Sequence, residues 1–422
     1  MSAEQFIADR ISRPEQNKGN ISRPIVKIGI AGISIGVAVM LLTVSIVLGF
    51  KGEIIKKITG LTADVIITGT SINASNEPEP ITISNDSIKH LQAMPGVSHV
   101  QRTTFKNGLL KTKQENEGVL LKGIDKNYDT SFIAKHLSEG QLLHFNDSSA
   151  SREILLSAEL SKQLKLNVGD KITVYFLVQQ EVVDSVTGEV YTKSDQRSRG
   201  LTICGIFNSG FSDLDKQLGI VDLRLLQVLN GWQDNMVGSY EIKLQSFDQL
   251  AGATEQVQDY LGYVYNVRSV TEIYSTIFVW LDKLDVNGIV IVVLIILVAI
   301  INMITALLIL MLERANMVGM VKALGMHNVS VRGIFLRISF RLVGKGMLWG
   351  NLVGIALCLL QYYFHIIKLD AGTYYVEYVA VKINWMYFVL LNVGTLLSCS
   401  IMLFLPTLIL TGMTPLKTLK FD

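Results

Sequence analysis

The chain predicts an α-helical membrane protein with four transmembrane helices and a large α+β extracytoplasmic domain inserted between helices 1 and 2. Four long uncharged stretches cover residues 28–50, 286–312, 346–367 and 383–412. Each one exceeds the roughly 20 residues that a helix needs to cross a hydrocarbon core. Between the first and second stretches lies a polar segment, residues 51–285, with the composition of an ordinary globular domain. The apolar stretches, the polar insert and the basic residues beside the spans together predict this fold class.

The N-terminal segment, residues 1–27, is predicted to be cytoplasmic. Phe6, Ile7 and Ile11 lie close to Arg10 and predict an interfacial helix that leads into the first span. The apolar run of that span is longer than the roughly 7–15 residues of a signal-peptide core. The first span is therefore predicted to be a retained membrane anchor.

The orientation follows from the distribution of lysine and arginine. Short loops rich in these residues stay in the cytoplasm. The segments 1–27, 313–345 and 413–422 are basic, whereas 51–285 is long enough to be translocated regardless of its charge. The N and C termini are therefore predicted to be cytoplasmic, and segments 51–285 and 368–382 to lie outside. The basic residues of the first two segments are Arg10, Arg13, Lys18, Arg23, Lys27, Arg314, Lys322, Arg332, Arg337, Arg341 and Lys345.

The external segment alternates short strand and helix patterns. Its one cysteine, Cys204, cannot form an internal disulfide, so a hydrophobic core must stabilise the domain. The pattern predicts a mixed α+β body in two subdomains, divided near residues 145–152. Strands are predicted at 64–68, 119–124, 153–157, 172–178, 201–207, 240–244 and 264–270, and helices at 84–94, 158–164, 223–229 and 248–261.

A polar stretch at residues 179–199 separates two predicted strands of the external domain. A loop of that length inside a compact domain is typically functional or disordered. Its apolar residues alternate with polar ones and favour a protruding hairpin. Whether this hairpin binds a partner or has none stays open at this point. The apolar residues are Val182, Val183, Val186, Val190 and Tyr191.

Several functions are disfavoured by what the sequence lacks. It contains no Gly-x-x-x-x-Gly-Lys-Ser/Thr loop, no His or Cys cluster with metal-ligand spacing and no nucleophile elbow. The spans have almost no ionisable side chain at mid-depth, which disfavours ion-coupled transport and chemistry inside the bilayer. A net charge of +2 gives no indication of nucleic-acid binding. We expect a subunit that is not an enzyme, binds no metal and has no cofactor of its own.

Small residues follow one face of two spans. Gly32 and Gly36 lie four apart in the first span, and Gly346, Gly350 and Gly354 form a row along the third. Such rows let helix backbones approach closely. The sequence does not distinguish contacts within one chain from contacts between two.

The loop after the second span contains an amphipathic pattern at residues 313–324. Met317, Met320, Val321 and Leu324 repeat at the spacing of one helix face, and Gly325 follows in the position typical of a helix C-terminus. An apolar stripe facing the cytoplasm either lies on lipid or fills a groove in a partner protein.

The segment Val318-Gly319-Met320-Val321-Lys322-Ala323-Leu324-Gly325, placed between spans two and three, resembles the coupling segment of FtsX-type ABC permeases. Further elements resemble the lipoprotein-releasing (Lol-type) members of that family, and their order along the chain matches. They are Gly49-Phe50-Lys51, Gly60-Leu61-Thr62, Val168-Gly169-Asp170, residues 205–210, Tyr374-Tyr375-Val376 and residues 414–419.

The resemblance implies a permease subunit in the bacterial inner membrane that works with a separate cytoplasmic ATPase, which would bind ATP and Mg²⁺. Met317 to Gly325 would dock into the ATPase, and the external domain would move as a lever. Lipoproteins would enter between spans one and two and pass to a periplasmic carrier. A hook-like loop captures the carrier in one subunit type, and residues 178–199 occupy its position here. A second permease copy or a paralogue would complete the complex, in contact with membrane lipid.

Two residues depart from the family pattern. Met317 stands where the family usually has an acidic residue, and Ala380 stands where it has proline after Tyr-Tyr-Val. Three alternatives stay open: an FtsX/MacB-like permease that exports a small molecule or peptide, one that regulates an extracytoplasmic hydrolase, and a membrane-anchored sensor.

Overall fold

The computed structural model divides the chain into two compact units. One contains residues 1–52, 280–368 and 378–422, and the other contains 53–279 and 369–377. We refer to them as the membrane unit and the external unit. The predicted interfacial helix lies outside the described part of the chain. The structure describes residues 22–70, 77–112, 115–146, 149–183, 190–313, 319–320 and 322–411.

Long helices form the membrane unit, and shorter ones accompany a sheet in the external unit. The α-helices are α1 (Ser22–Leu61), α2 (Asn85–Ala93), α3 (Ser131–Lys135), α4 (Ala158–Leu164), α5 (Ser212–Asp215), α6 (Leu223–Asn230), α7 (Leu250–Leu261), α8 (Val270–Ile273), α9 (Ser275–Glu313), α10 (Asn328–Phe364), α11 (Ala371–Tyr374) and α12 (Trp385–Thr411). The strands are β1 (Val65–Gly69), β2 (Val97–Lys111), β3 (Asn116–Ile124), β4 (Leu137–Gly140), β5 (Glu153–Ser157), β6 (Lys171–Val183), β7 (Val190–Phe207), β8 (Leu218–Asp222), β9 (Ser239–Leu244) and β10 (Tyr265–Ser269).

Four of the described helices, α1, α9, α10 and α12, are long and apolar enough to cross a membrane. They do not coincide with the predicted spans. α1 has 40 residues, α9 has 39 and α10 has 37, so each is longer than its uncharged stretch. Charge marks where the hydrocarbon core ends, whereas a helix continues as long as its backbone hydrogen bonds and packing favour it. α10 is the exception at its C-terminus, because it ends at Phe364, before the predicted limit of 367.

The core of the membrane unit joins residues from all four long helices. Ile33 and Met40 of α1 are buried with Met303 of α9, Phe335 of α10 and Cys399 of α12. Within this unit α1 therefore packs as a central element. In agreement with this, a larger share of the apolar segment is buried in α1 than in any of the other three helices.

One ten-stranded sheet forms the external unit. Its order is β10-β1-β9-β2-β3-β8-β5-β7-β4, and β6 pairs with β2 and β7. The β3–β8 and β5–β7 pairs are parallel, and the other pairs are antiparallel. Strands before and after residues 145–152 belong to this one sheet, because β3 pairs with β8 and β2 pairs with β6. The division into two subdomains near this segment stays a prediction.

Local signals explain where the shorter helices begin and end. The Ser84 hydroxyl accepts a hydrogen bond from Ser87 N at the start of α2, and the Asp222 carboxylate accepts one from Arg224 N at the start of α6. Such caps satisfy backbone donors that have no partner inside the helix. Gly231 ends α6 in the left-handed region, with a φ of 71°.

β2, a 15-residue strand between β9 and β3, is absent from the strands predicted from the sequence. Gln101, Thr103, Thr104 and Lys106 are all buried in it. Because these side chains are polar on both faces of the strand, the apolar alternation that marks a strand is absent.

Candidate functional site

The coupling segment is described only in part. Met317, Val318 and Val321 lie outside the described residues. Met320 and Leu324 are 55% and 88% exposed, and Leu324 N donates to Met320 O at 3.1 Å. Gly319 and Lys322–Ala323 are helical where described, and Gly325 has a φ of +93°. The positive φ at Gly325 fits a helix that ends there.

The glycine row of α10 contacts α1 within this chain. A methyl group added to Gly350 would lie 2.7 Å from Ser34 O and 2.7 Å from Val37 Cβ. One added to Gly346 would lie 2.7 Å from Ile33 Cβ, and one added to Gly354 would lie 3.0 Å from a Leu41 methyl. The Ser34 hydroxyl also donates to Gly346 O at 3.0 Å. These glycines therefore bring the two backbones close together.

The glycines of α1 contact a different helix, α9. A methyl group on Gly32 would lie 3.1 Å from Asn302 Nδ2, and one on Gly36 would lie 3.3 Å from an Ile295 methyl. Gly32 and Gly36 therefore let α1 and α9 approach each other closely.

An ion cluster links the same two helices next to their apolar segments. Lys51 Nζ lies 2.6 Å from Asp285 Oδ2 and 3.1 Å from Asp282 Oδ1. One residue earlier, the Phe50 ring meets the Trp280 ring edge-on, with centroids 5.7 Å apart. These contacts hold α1 and α9 together.

A side-chain amide pair joins the two C-terminal helices of the membrane unit. Asn351 Nδ2 of α10 donates to Asn392 Oδ1 of α12 at 2.7 Å, and the reverse bond measures 3.2 Å. Reciprocal amide bonds satisfy both side chains where water is scarce.

The polar stretch at 179–199 forms a two-stranded ribbon. β6 pairs with β7 from Lys171↔Thr202 to Val183↔Val190, whereas its pairing with β2 extends only to Tyr175. The backbones of Val182, Val183, Val190 and Tyr191 belong to this ribbon, and Val186 lies outside the described residues. The outer part of the ribbon thus pairs with no other described strand.

The segment 369–377 belongs to the external unit and packs against the start of α5. The Tyr375 ring stacks on Phe211 with centroids 5.1 Å apart, and its hydroxyl donates to Asp213 Oδ2 at 3.1 Å. Lys57 Nζ donates to Gly210 O at 3.1 Å and to Tyr375 O at 3.2 Å. These contacts join the segment 369–377 to α5 and to Lys57 of α1.

A buried polar cluster crosses the middle of the sheet. Lys122 Nζ lies 2.7 Å from Glu241 Oε1 and donates to Tyr128 Oη at 2.9 Å and to Leu61 O at 2.8 Å. Burial lowers the pKa of Lys122, and the Glu241 carboxylate opposes this shift. Because Leu61 is the last residue of α1, this ammonium group also compensates the partial negative charge of a helix C-terminus.

The same face of the sheet borders a cleft of about 580 Å³. The end of α1, strands β1, β2, β3, β8 and β10, and Tyr274 contribute to its walls. This cleft could not be predicted from the sequence, because its residues come from distant segments and strand β2 was not predicted. Within the described ranges, no group of three or more His, Cys, Asp or Glu side chains could hold a metal ion.

The comparison with family profiles covers both parts of the chain. The MacB-like periplasmic core domain family matches residues 28–260, and the FtsX-like permease C-terminal family matches residues 289–415. The chain therefore belongs to the FtsX-like ABC transporter permeases that have a MacB-like periplasmic core domain. This family membership implies a cytoplasmic ATPase partner, and its permeases are transmembrane subunits.

Two relatives are similar to this protein over most of the chain. The lipoprotein-releasing system transmembrane protein LolE of Haemophilus influenzae is 22% identical over 92% of this chain and 91% of its own length. The corresponding LolC of Xylella fastidiosa is 22% identical over 87% of this chain and 86% of its own. Both relatives are named as transmembrane proteins of a lipoprotein-releasing system.

Two solved structures resemble part of the chain. The extracellular domain of the noncanonic ABC-type transporter YknZ from Gram-positive bacteria aligns with 49% of this chain and 98% of its own, with a TM-score of 0.32 and 17% identity. The periplasmic region of MacB from Actinobacillus actinomycetemcomitans aligns with 53% of this chain and 97% of its own, with a TM-score of 0.34 and 15% identity.

Proposed function

We propose that this permease extracts lipoproteins from the outer leaflet of the bacterial inner membrane and hands them to a periplasmic carrier, driven by a separate ATPase that binds ATP and Mg²⁺. The observation that carries the proposal is the similarity to lipoprotein-releasing transmembrane proteins over 92% of the chain and 91% of a relative. The chain itself acts as a non-catalytic subunit, with both termini in the cytoplasm and the external unit in the periplasm.

The energy of the anchor explains why such a step needs ATP. A lipoprotein anchor with about 40 buried methylene groups is held by on the order of 30 kcal/mol, at roughly 0.8 kcal/mol for each group. Spontaneous escape is negligible at that depth. A permease whose spans have almost no ionisable residue at mid-depth suits an amphiphile taken sideways from lipid better than an ion in a wet pore.

The contacts between α1 and α9 restrict where a lipoprotein passes in this mechanism. Gly32 and Gly36 contact α9 directly, while Ile289, Val293 and Ile301 of α9 are at least half exposed. We therefore place the path between the exposed face of α9 and a second permease subunit, a copy or a paralogue of this chain. The proposed path differs from the one that the resemblance implies, which lies between spans one and two of the same chain.

The ribbon of β6 and β7 is the proposed carrier-binding element. Its outer strand edges pair with no other described strand. Unpaired strand edges offer backbone groups to a partner, and apolar side chains beside them add specificity. The coupling segment is the proposed contact with the ATPase, and its exposed Met320 and Leu324 suit a groove in that partner.

The test of this function is purification in mild detergent from the native membrane, followed by reconstitution with what co-purifies. We expect a small ATPase, and we expect ATP to drive transfer of a fluorescent triacylated lipoprotein from proteoliposomes to a soluble carrier. An extracytoplasmic hydrolase as the stable partner, without lipoprotein transfer, would favour the regulatory alternative. ATP-dependent movement of small molecules or peptides alone would favour the exporter.

A further inference from the structure

The cleft of about 580 Å³ in the external unit has the size of a small-ligand site. Its floor is one face of the sheet, where the strand register brings Asn266, Thr68 and Ser239 side by side across β10, β1 and β9. In the same register Arg268 lies opposite Ile66. Three neighbouring strands therefore define the positions of the residues that line it.

The charged side chains of the cleft differ in whether they are already paired. Lys122 is paired with Glu241, and Glu77 Oε2 lies 2.8 Å from Lys106 Nζ. Arg268 is exposed, and within the described residues it forms neither an ion pair nor a hydrogen bond through its side chain. Arginine presents a planar set of donors that matches a phosphate or carboxylate group. Arg268 is therefore a cation of the cleft that no described side chain neutralises.

Two uncharged polar groups line the cleft with Arg268. Neither the Tyr274 hydroxyl nor the Asn266 amide forms a side-chain hydrogen bond within the described part of the chain. Burial, with a smaller contribution from Glu241, raises the pKa of Tyr274 to about 12. This hydroxyl therefore keeps its proton at neutral pH and can donate a hydrogen bond to an anion.

Apolar side chains form the remaining wall. Ile66 lies directly opposite Arg268, and Leu218, Leu120, Phe105 and Ile273 also line the cleft. An apolar surface beside a single unpaired cation suits a ligand that has an acidic head and an apolar body.

We propose that this cleft binds an anionic amphiphile, with a phosphate or carboxylate head on Arg268, hydrogen bonds from Tyr274 and Asn266, and an apolar part against Ile66, Leu218 and Ile273. The proposal is independent of which substrate the transporter carries, because it concerns a site in the external unit alone.

The test uses the full-length protein in phosphatidylcholine nanodiscs and isothermal titration calorimetry. The probes are dihexanoyl phosphatidylglycerol, dihexanoyl phosphatidylcholine and inorganic phosphate, all of them soluble. We expect the phosphatidylglycerol to bind about tenfold more tightly than either other probe, because only it combines a net negative charge with an apolar part. Equal affinity for the two lipids would overturn the role of the charge, and equal affinity for inorganic phosphate would overturn the role of the apolar wall.

Variants assign the binding to the cleft. Arg268→Gln should weaken phosphatidylglycerol binding about tenfold, Arg268→Lys should retain part of it, and Asn266→Leu should weaken it less than Arg268→Gln. Arg152→Gln is the matched control, because Arg152 is an exposed arginine of the same unit that does not line the cleft. Unchanged binding in Arg268→Gln, or an equal loss in Arg152→Gln, would overturn the proposal. A thermal unfolding curve for each variant establishes that it is folded.

Discussion

Lys122 and Glu241 form an ion pair of 2.7 Å in which the two side chains are 2% and 0% exposed. Glu241 also accepts hydrogen bonds from Gln101 at 2.9 Å and from Thr103 at 3.3 Å. Taking two charges out of water is costly unless each is paired and hydrogen-bonded. Lys122 of β3 and Glu241 of β9 therefore compensate each other's charge across β2, which lies between these two strands.

Replacing one partner of this pair should destabilise the external unit. Lys122→Met leaves the Glu241 carboxylate buried without a cation, at a cost of about 3–5 kcal/mol. The double variant Lys122→Met/Glu241→Gln should recover most of that loss, because no buried charge remains. Thermal unfolding of the purified full-length protein measures both. If the double variant were as unstable as the single one, the loss would come from packing and the electrostatic account would be wrong.

The buried carboxyl group of Asp215 should make stability depend on pH. Burial raises its pKa to about 6, although a hydrogen bond from Ser209 Oγ at 2.7 Å lowers it in part. A carboxyl group with a raised folded-state pKa contributes stability below its unfolded pKa, near 4, and loses it as the pH rises through 6. We expect the wild type to lose about 1–2 kcal/mol between pH 5 and 7.5 through this group.

Asp215→Asn removes the titration while its amide oxygen can still accept the Ser209 hydrogen bond. The variant should be more stable than the wild type at pH 7.5 and should show a flatter dependence of unfolding temperature on pH. Parallel curves for the two proteins from pH 5 to 7.5 would contradict the raised pKa.

The strand and helix predicted at 153–164 and the missed strand β2 differ in the polarity of their buried residues. The predicted strand 153–157 and helix 158–164 have the bounds that the structure shows, because their buried residues are apolar and Ser157 caps the helix. In β2 the buried residues are polar and satisfy one another across strands, so no local pattern reveals them. The same holds for the cleft, whose lining residues become neighbours only through the register of distant strands.

The close contact between α10 and α1 predicts that side chains larger than hydrogen are excluded at Gly350. Gly350→Val should separate the two helices or force a shift of Ser34 and Val37, and overpacking of this kind costs about 1–3 kcal/mol. Gly344→Val is the matched control on the same helix, because no atom lies within 4 Å of the methyl group it would add. The unfolding temperature and the monodispersity of the detergent-solubilised protein report the difference. Equal effects of the two substitutions would mean that the helix backbone, and not the contact, is sensitive.

The coupling segment should transmit the state of the ATPase through its apolar stripe. Val321→Asp/Leu324→Asp places two charges on that stripe, and we expect a folded permease that no longer stimulates its ATPase. Val264→Asp is the control, since Val264 is 72% exposed in the external unit and receives the same charge. ATP turnover by the reconstituted complex is the readout. Stimulation that survives in the double variant would exclude docking through residues 317–325, whereas loss of stimulation in the control would indicate a general effect of added charge.

The β6–β7 ribbon should be removable without unfolding the sheet. Replacing residues 180–193 by Asn-Gly retains the Gln179↔Ser194 and Val178↔Asp195 pairs and closes them with a two-residue turn suited to a hairpin. It also preserves the buried Phe176 and the bond from Arg197 Nη1 to Leu229 O at 3.0 Å. We expect an unfolding temperature close to that of the wild type, together with the loss of carrier cross-linking and of lipoprotein transfer. A longer deletion, 180–197, is the informative contrast, because it removes Arg197 and should destabilise the sheet as well. If the short replacement cross-links to the carrier as the wild type does, the carrier binds elsewhere on the external unit.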